Sequence, residues 1–245
     1  MQHLWQRGTM SNDPLIPIGE PAVAPAAPRA AWIAMAGAGL LAVLLLGFSI
    51  LDDVPLAWDR AIILALRVPG DTRQPIGPDW LHQAMVDITA LGSGTVLTLA
   101  VVVAVGLLLV RRLWLTAALV LAATVTGSLL AAQAKFFFHR TRPELVDHLV
   151  PVTGLSFPSG HATNSAIVYL TLAGLLAQVE RGHRARSYTS AVAILLVGAI
   201  GVSRVYLGVH WPSDVVAGWC AGTGWAALWW WLGATARTSL ARRRQ

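Results

Sequence analysis

The sequence predicts an all-α, polytopic membrane protein: a six-transmembrane-helix bundle with short amphipathic helices on its outer face. Three observations carry this. Of 245 residues, 56% are hydrophobic and 12% charged, whereas about a quarter of an average soluble domain is charged. Six apolar runs, at 31–51, 93–110, 113–134, 162–179, 189–209 and 213–232, reach the roughly 17–25 residues that a bilayer core demands. The basic residues between those runs fall mainly on one side.

The first run follows a Pro/Ala-rich stretch that reads as a disordered cytoplasmic tail over 1–29. The run itself is long enough to span and is not read as a cleaved signal peptide. If six spans alternate, eleven of the 18 Lys and Arg residues share one side: Arg7, Arg29, Arg111, Arg112, Arg181, Arg184, Arg186, Arg237, Arg242, Arg243 and Arg244. The positive-inside rule makes that side cytoplasmic. It places both termini there, with a basic tail over 236–245 and a membrane domain over 30–235. The net charge of +6 is thus a topology signal, and nucleic acid is not expected as a partner. Cys220 is the sole cysteine, in an apolar run, so no internal disulfide forms. The oligomeric state is open.

Segment 52–92 lies outside. "LAWDRAIILALR" and "WLHQAMVDITALG" read as short amphipathic helices on the outer leaflet, joined by the turn-rich "PGDTRQPIGP". His82 reads as a surface residue. The tryptophans 225 and 229–231 read as an aromatic belt.

The remaining ionisable residues gather at the outer ends of the spans, where such groups usually mark function. They form three clusters. "KFFFHRTRP" holds Lys135 and Arg142, "PSGH" holds Ser159, Gly160 and His161, and "SRVYLGVHWPSD" holds Arg204, His210 and Asp214. His210 and Asp214 are four apart, neighbours on one helix face. A carboxylate on one ring nitrogen leaves the other free as a nucleophile. Ser159 and Gly160 open a span, and a helix N-terminus receives phosphate readily. His161 sits beside it as a candidate general acid. Lys135 and Arg142 are two helical turns apart, so a continuous helix would point both at one phosphate. Arg204 interrupts an apolar run. Cations in these places would clamp the equatorial oxygens of a phosphoryl transition state. His139 and Arg140, between those positions, read as interfacial snorkelling residues. No metal-ligand spacing accompanies the histidines, so neither a metal nor a cofactor is expected.

The three clusters, in this order and at matched depth, resemble the signature of the type 2 phosphatidic acid phosphatase superfamily over roughly residues 90–232. The resemblance implies metal-independent hydrolysis of a lipid phosphate through a phosphohistidine at the periplasmic face of the inner membrane. His210 would be the nucleophile, Asp214 its orienting acid and His161 the proton donor. Lys135, Arg142, Ser159, Gly160 and Arg204 would bind phosphate. The substrates implied are undecaprenyl diphosphate first, then phosphatidylglycerophosphate or phosphatidic acid. Two alternatives are a lipid phosphotransferase sharing the phosphohistidine and a non-catalytic six-span transporter. The transporter predicts charges spread through the membrane depth rather than gathered at one face.

Overall fold

A computed structural model describes residues 29–179 and 182–243. Arg7, Arg181 and Arg244, and all of the expected N-terminal tail but Arg29, lie outside the described residues. The elements run α1 (Arg29–Phe48), α2 (Ala57–Ala65), β1 (Arg67–Val68), β2 (Asp71–Pro75), α3 (Asp79–Ala90), α4 (Gly94–Val110), α5 (Trp114–Phe138), α6 (Gly160–Val179), α7 (His183–Tyr206) and α8 (Pro212–Arg243). Six of the helices have 17 to 32 residues and coincide with the six apolar runs.

By length and composition α1, α5 and α7 can cross a membrane, and α3 with α4, bent by 47°, makes a fourth candidate. Helix α6 turns Thr163, Ser165 and Thr171 into the bundle, and α8 turns Ser213 and Asp214 inward at its start, so these polar groups are buried in protein. Helix α8 also runs through most of the stretch read as a basic tail, ending at Arg243.

Helix α8 packs along α1 and α6, while α6 also packs on α5 and α7. Small residues permit the closest of these approaches. A Cβ at Gly218 would sit 2.9 Å from Ser159 O, and one at Gly222 would sit 2.6 Å from Thr163 O. Bulk at either position would push the start of α8 away from the start of α6. Ser159 N also donates to Asp214 O at 3.0 Å, which ties the two helix starts together.

Segment 52–92 contains the two expected short helices, α2 and α3, and it packs onto the bundle. The turn-rich linker forms an antiparallel hairpin, β1 with β2. Helix α2 turns Asp59 and Ile63 inward, both 0% exposed. They are four residues apart, so the face they share is the packed one. Arg67 reaches Tyr206 O at 3.0 Å, closing the segment onto the end of α7. His82 is partly buried rather than a free surface group.

Candidate active site

The C-terminal ends of α5 and α7 and the N-terminal ends of α6 and α8 meet under the 139–159 connection. The turn between α7 and α8 positions His210. Gly208 has φ +75°, and a Cβ there would lie 2.6 Å from Arg67 Nη2, so a side chain at this position meets both strain and obstruction. Pro212 opens α8, where its missing N–H costs no helical bond. His210 therefore precedes the helix instead of lying on it. Asp214 folds back over the first turn and accepts from Trp211 N at 2.8 Å.

The same carboxylate controls the imidazole. His210 Nδ1 lies 3.4 Å from Asp214 Oδ2 and 3.2 Å from Ser156 Oγ. Ser156 donates its hydroxyl proton to Asp214 Oδ2. The hydroxyl can then only accept from the ring, which places the proton on Nδ1. On the other side Arg142 Nη1 stands 3.3 Å from Nε2. A guanidinium cannot accept, so Nε2 presents a lone pair. Burial pushes the His210 pKa down to about 3, overriding the opposing pull of Asp214. The ring is neutral, with its free nitrogen facing a cation.

Arg142 is held by the connection. It donates to Gly154 O at 2.9 Å, Thr153 O at 3.0 Å and Val209 O at 2.6 Å. Lys135 Nζ donates to Leu155 O at 2.8 Å, and Arg142 Nη2 reaches the same oxygen at 3.5 Å. The two cations thus converge, though not along a shared helix face. Helix α5 stops at Phe138, and His139 caps it in the left-handed conformation, φ 49°. The chain then turns, and a loop delivers Arg142 to the place that a continuous helix was expected to reach.

Ser159 and Gly160 stand at the N-terminus of α6. A Cβ on Gly160 would come 3.8 Å from Lys135 Cε, so the lysine lies across that helix mouth. Arg204, in the last turn of α7, donates to Thr89 Oγ1 at 3.0 Å. His161 feels the charges of Arg204, Lys135 and Arg142 together. It packs against the α3–α4 turn, where a Cβ on Gly92 would be 3.2 Å from its ring. All eight residues singled out from the sequence therefore share one layer. Within it Ser159 Oγ and Arg204 Nε are buried and have no hydrogen-bond partner in the structure. A buried donor without an acceptor costs about 1–3 kcal/mol. Ser159 Oγ and three cations, one of which (Arg204) carries the second unpartnered donor, suit an anion with several acceptor oxygens.

Three residues of this layer were not anticipated. Arg140, expected to snorkel, is 0% exposed. Its Nη1 donates to Asp214 Oδ1 and Ser213 Oγ, both at 2.6 Å, and its Nη2 to Asp59 Oδ2 at 2.7 Å. Its guanidinium carbon also lies 5.4 Å from the centre of the Trp211 ring. Asp59 in turn accepts from Ser213 N at 2.8 Å and Ser213 Oγ at 2.6 Å. Ser156 is the third. The spacing of "RTRP", with two arginines in one short connection, was the available signal for Arg140. Asp59 and Ser156 left none. No group of three or more His, Cys, Asp or Glu side chains among the described residues is placed to hold a metal ion.

The profile of the PAP2 superfamily matches residues 111–237, just over half of the chain. Phosphatidylglycerophosphatase B of Bacillus subtilis is 36% identical over 154 residues, which cover 61% of this chain and 72% of that protein. Decaprenylphosphoryl-5-phosphoribose phosphatase of Mycobacterium tuberculosis is 34% identical over 135 residues, 54% of this chain and 68% of that one. The crystal structure of a transmembrane PAP2-type phosphatidylglycerolphosphate phosphatase from Bacillus subtilis superposes with a TM-score of 0.69 at 31% identity. It covers 79% of this chain and 93% of the other.

Proposed function

The chain belongs to the PAP2 superfamily of membrane lipid phosphatases, and from that premise we propose that it cleaves a lipid phosphate through a phosphohistidine formed on His210. The observation that carries the proposal is the state of that ring. It is neutral, with its proton on Nδ1 and its Nε2 lone pair beside Arg142.

The substrate phosphate occupies the mouth of α6. Ser159 Oγ and the backbone N–H groups there donate to its oxygens, and Lys135, Arg142 and Arg204 neutralise them. His210 Nε2 attacks phosphorus, and the bond from phosphorus to the lipid oxygen breaks. The departing oxygen keeps the bonding pair and takes a proton from His161. Positive charge on the phosphorylated imidazole is met at Nδ1–H by Asp214, directly and through Ser156. Water then attacks phosphorus and gives its proton to His161, while the N–P electron pair returns to Nε2. Arg140 and Asp59 act as positioning residues, because they hold the second oxygen of Asp214 and the Ser213 backbone.

In this reading all six long helices span the inner membrane, with both described ends cytoplasmic and the site facing the periplasm. Arg111, Arg112, Arg184 and Arg186 support that orientation. The substrate is a monoester or diphosphate of a membrane lipid: phosphatidylglycerophosphate, phosphatidic acid or a polyprenyl phosphate such as undecaprenyl diphosphate. The name of the Bacillus relative moves phosphatidylglycerophosphate ahead of undecaprenyl diphosphate. Release of inorganic phosphate from these lipids in detergent, with and without EDTA, tests the reading. Equal release in both conditions is expected. Loss of activity in EDTA, restored by a divalent metal, would overturn metal independence. Transfer of phosphate to an acceptor without free phosphate would favour a transferase.

A further inference from the structure

An apolar groove of about 470 Å³ runs between α1, α5, α6 and α8. One end is made by Ala134, Pro158 and Thr163. Ala134 adjoins Lys135, Pro158 adjoins Ser159, and Thr163 follows His161 by two positions. The groove therefore begins at the floor of the phosphate site. Away from that end it passes Gly37, Trp225 and Leu228. The stretch of α8 along it, from residue 221 to 228, rises about 10 Å.

The lining settles what can fill it. The Thr163 hydroxyl is already spent on Ser159 O at 2.9 Å, and the Trp225 indole N–H on Ala123 O at 2.8 Å. Water would find no partners in such a groove. A transmembrane helix needs a face about 30 Å long, which this groove does not offer. A flexible hydrocarbon chain needs no partners and fits a short channel. We propose that the α1/α5/α6/α8 groove seats one hydrocarbon chain of the substrate, so that selectivity among lipids is set there as well as at the phosphate. The proposal rests on the phosphatase reading.

Gly37 provides the test. It lines the groove, and a Cβ added there meets nothing within 4 Å, so the backbone at this position has room to start a side chain. Gly198 on α7 is equally open and lies outside the groove, which makes it the control. The chain arrives from an apolar bilayer or micelle, so the groove contributes packing and no hydrophobic transfer. The expected effect of Gly37→Phe is therefore about a five- to ten-fold loss of kcat/KM on dioleoyl phosphatidic acid, with less than about a two-fold loss on the dihexanoyl form. Gly198→Phe should change neither. Equal losses on both lipids, or none, would overturn the proposal. A dioleoyl-type lipid phosphate with a mid-chain diazirine gives an independent reading on the unmodified protein. Labels on α1 and α8 are expected. Labels confined to α4 and the facing side of α5, where Leu97, Val101 and Leu129 line a second groove, would overturn the proposal even if Gly37→Phe does not fold. If the unmodified protein hydrolyses neither lipid, the phosphatase reading fails, and the label still reports where the chain lies.

Discussion

Replacing Arg140 with lysine keeps the charge and removes the fork. The guanidinium serves two carboxylates at once, Asp214 at 2.6 Å and Asp59 at 2.7 Å, and also Ser213 Oγ at 2.6 Å. An ammonium on a single stem cannot hold this planar arrangement. At least one hydrogen bond to a charged group is lost, worth about 1.5–3 kcal/mol. If the lost bond is the one to Asp214, the carboxylate keeps Ser156 and Trp211 on Oδ2 and gains slack on Oδ1. The imidazole that it steers gains the same slack. One tenfold in rate corresponds to about 1.4 kcal/mol, so kcat should fall roughly 10- to 100-fold if most of that slack reaches the transition state. KM should move little, because Arg140 does not face the phosphate. The assay is phosphate release across substrate concentration, with thermal unfolding measured in parallel. A variant with wild-type kcat would refute the positioning role. So would a rise in KM at constant kcat, since that would place Arg140 on the substrate.

Other outcomes follow from the same geometry. Asp59→Asn should lower kcat in the same way, and combined with Arg140→Lys it should add much less than its own effect, because both act on one network; full additivity would separate them. Ser156→Ala removes one of two paths from Nδ1 to Asp214 and should lower kcat about tenfold with KM unchanged. An unaltered kcat would mean that the direct 3.4 Å contact suffices. The His210 pKa lies at about 3 in the fold and near 6.5 when unfolded. The unfolded chain therefore binds the extra proton between those values, and this contribution to stability, intact above pH about 6.5, is lost as pH falls toward 3. Unfolding measured from pH 7 to 4 should show a shallower decline in His210→Gln, and an unchanged slope would assign the acid sensitivity to other groups.

Much of the site was legible because its chemistry is written in short local patterns. "PSGH" and "SRVYLGVHWPSD" lie at helix ends, so their spacing survives folding almost unchanged. The pair Lys135 and Arg142 was found by correct spacing and an incorrect reason: the helix ends between them, and a loop makes the convergence. Arg140 was misread because an arginine at a membrane boundary has a cheap solvated alternative. The inward turn of α2 supplies one of the two buried carboxylates that hold it, Asp59, the other being Asp214. Asp59 lies 81 residues from Arg140, and no local pattern encodes a pairing that tertiary packing alone creates. The hairpin β1–β2 was hidden for a related reason, since a turn-rich stretch reads alike whether or not its flanks pair. The six apolar runs were legible as six long helices, because a sustained apolar stretch of that length is a local feature that folding leaves in place.

The central claim is that His210 carries the phosphoryl group. The most direct measurement is rapid acid-free quenching of the protein during turnover of a radiolabelled lipid phosphate, followed by mapping of the label. A label that is labile to acid and stable to alkali, located on His210, is the predicted result. It should be absent in His210→Ala and form more slowly in His161→Ala. Near-wild-type phosphate release by His210→Ala, or a label mapped to another residue, would contradict the account.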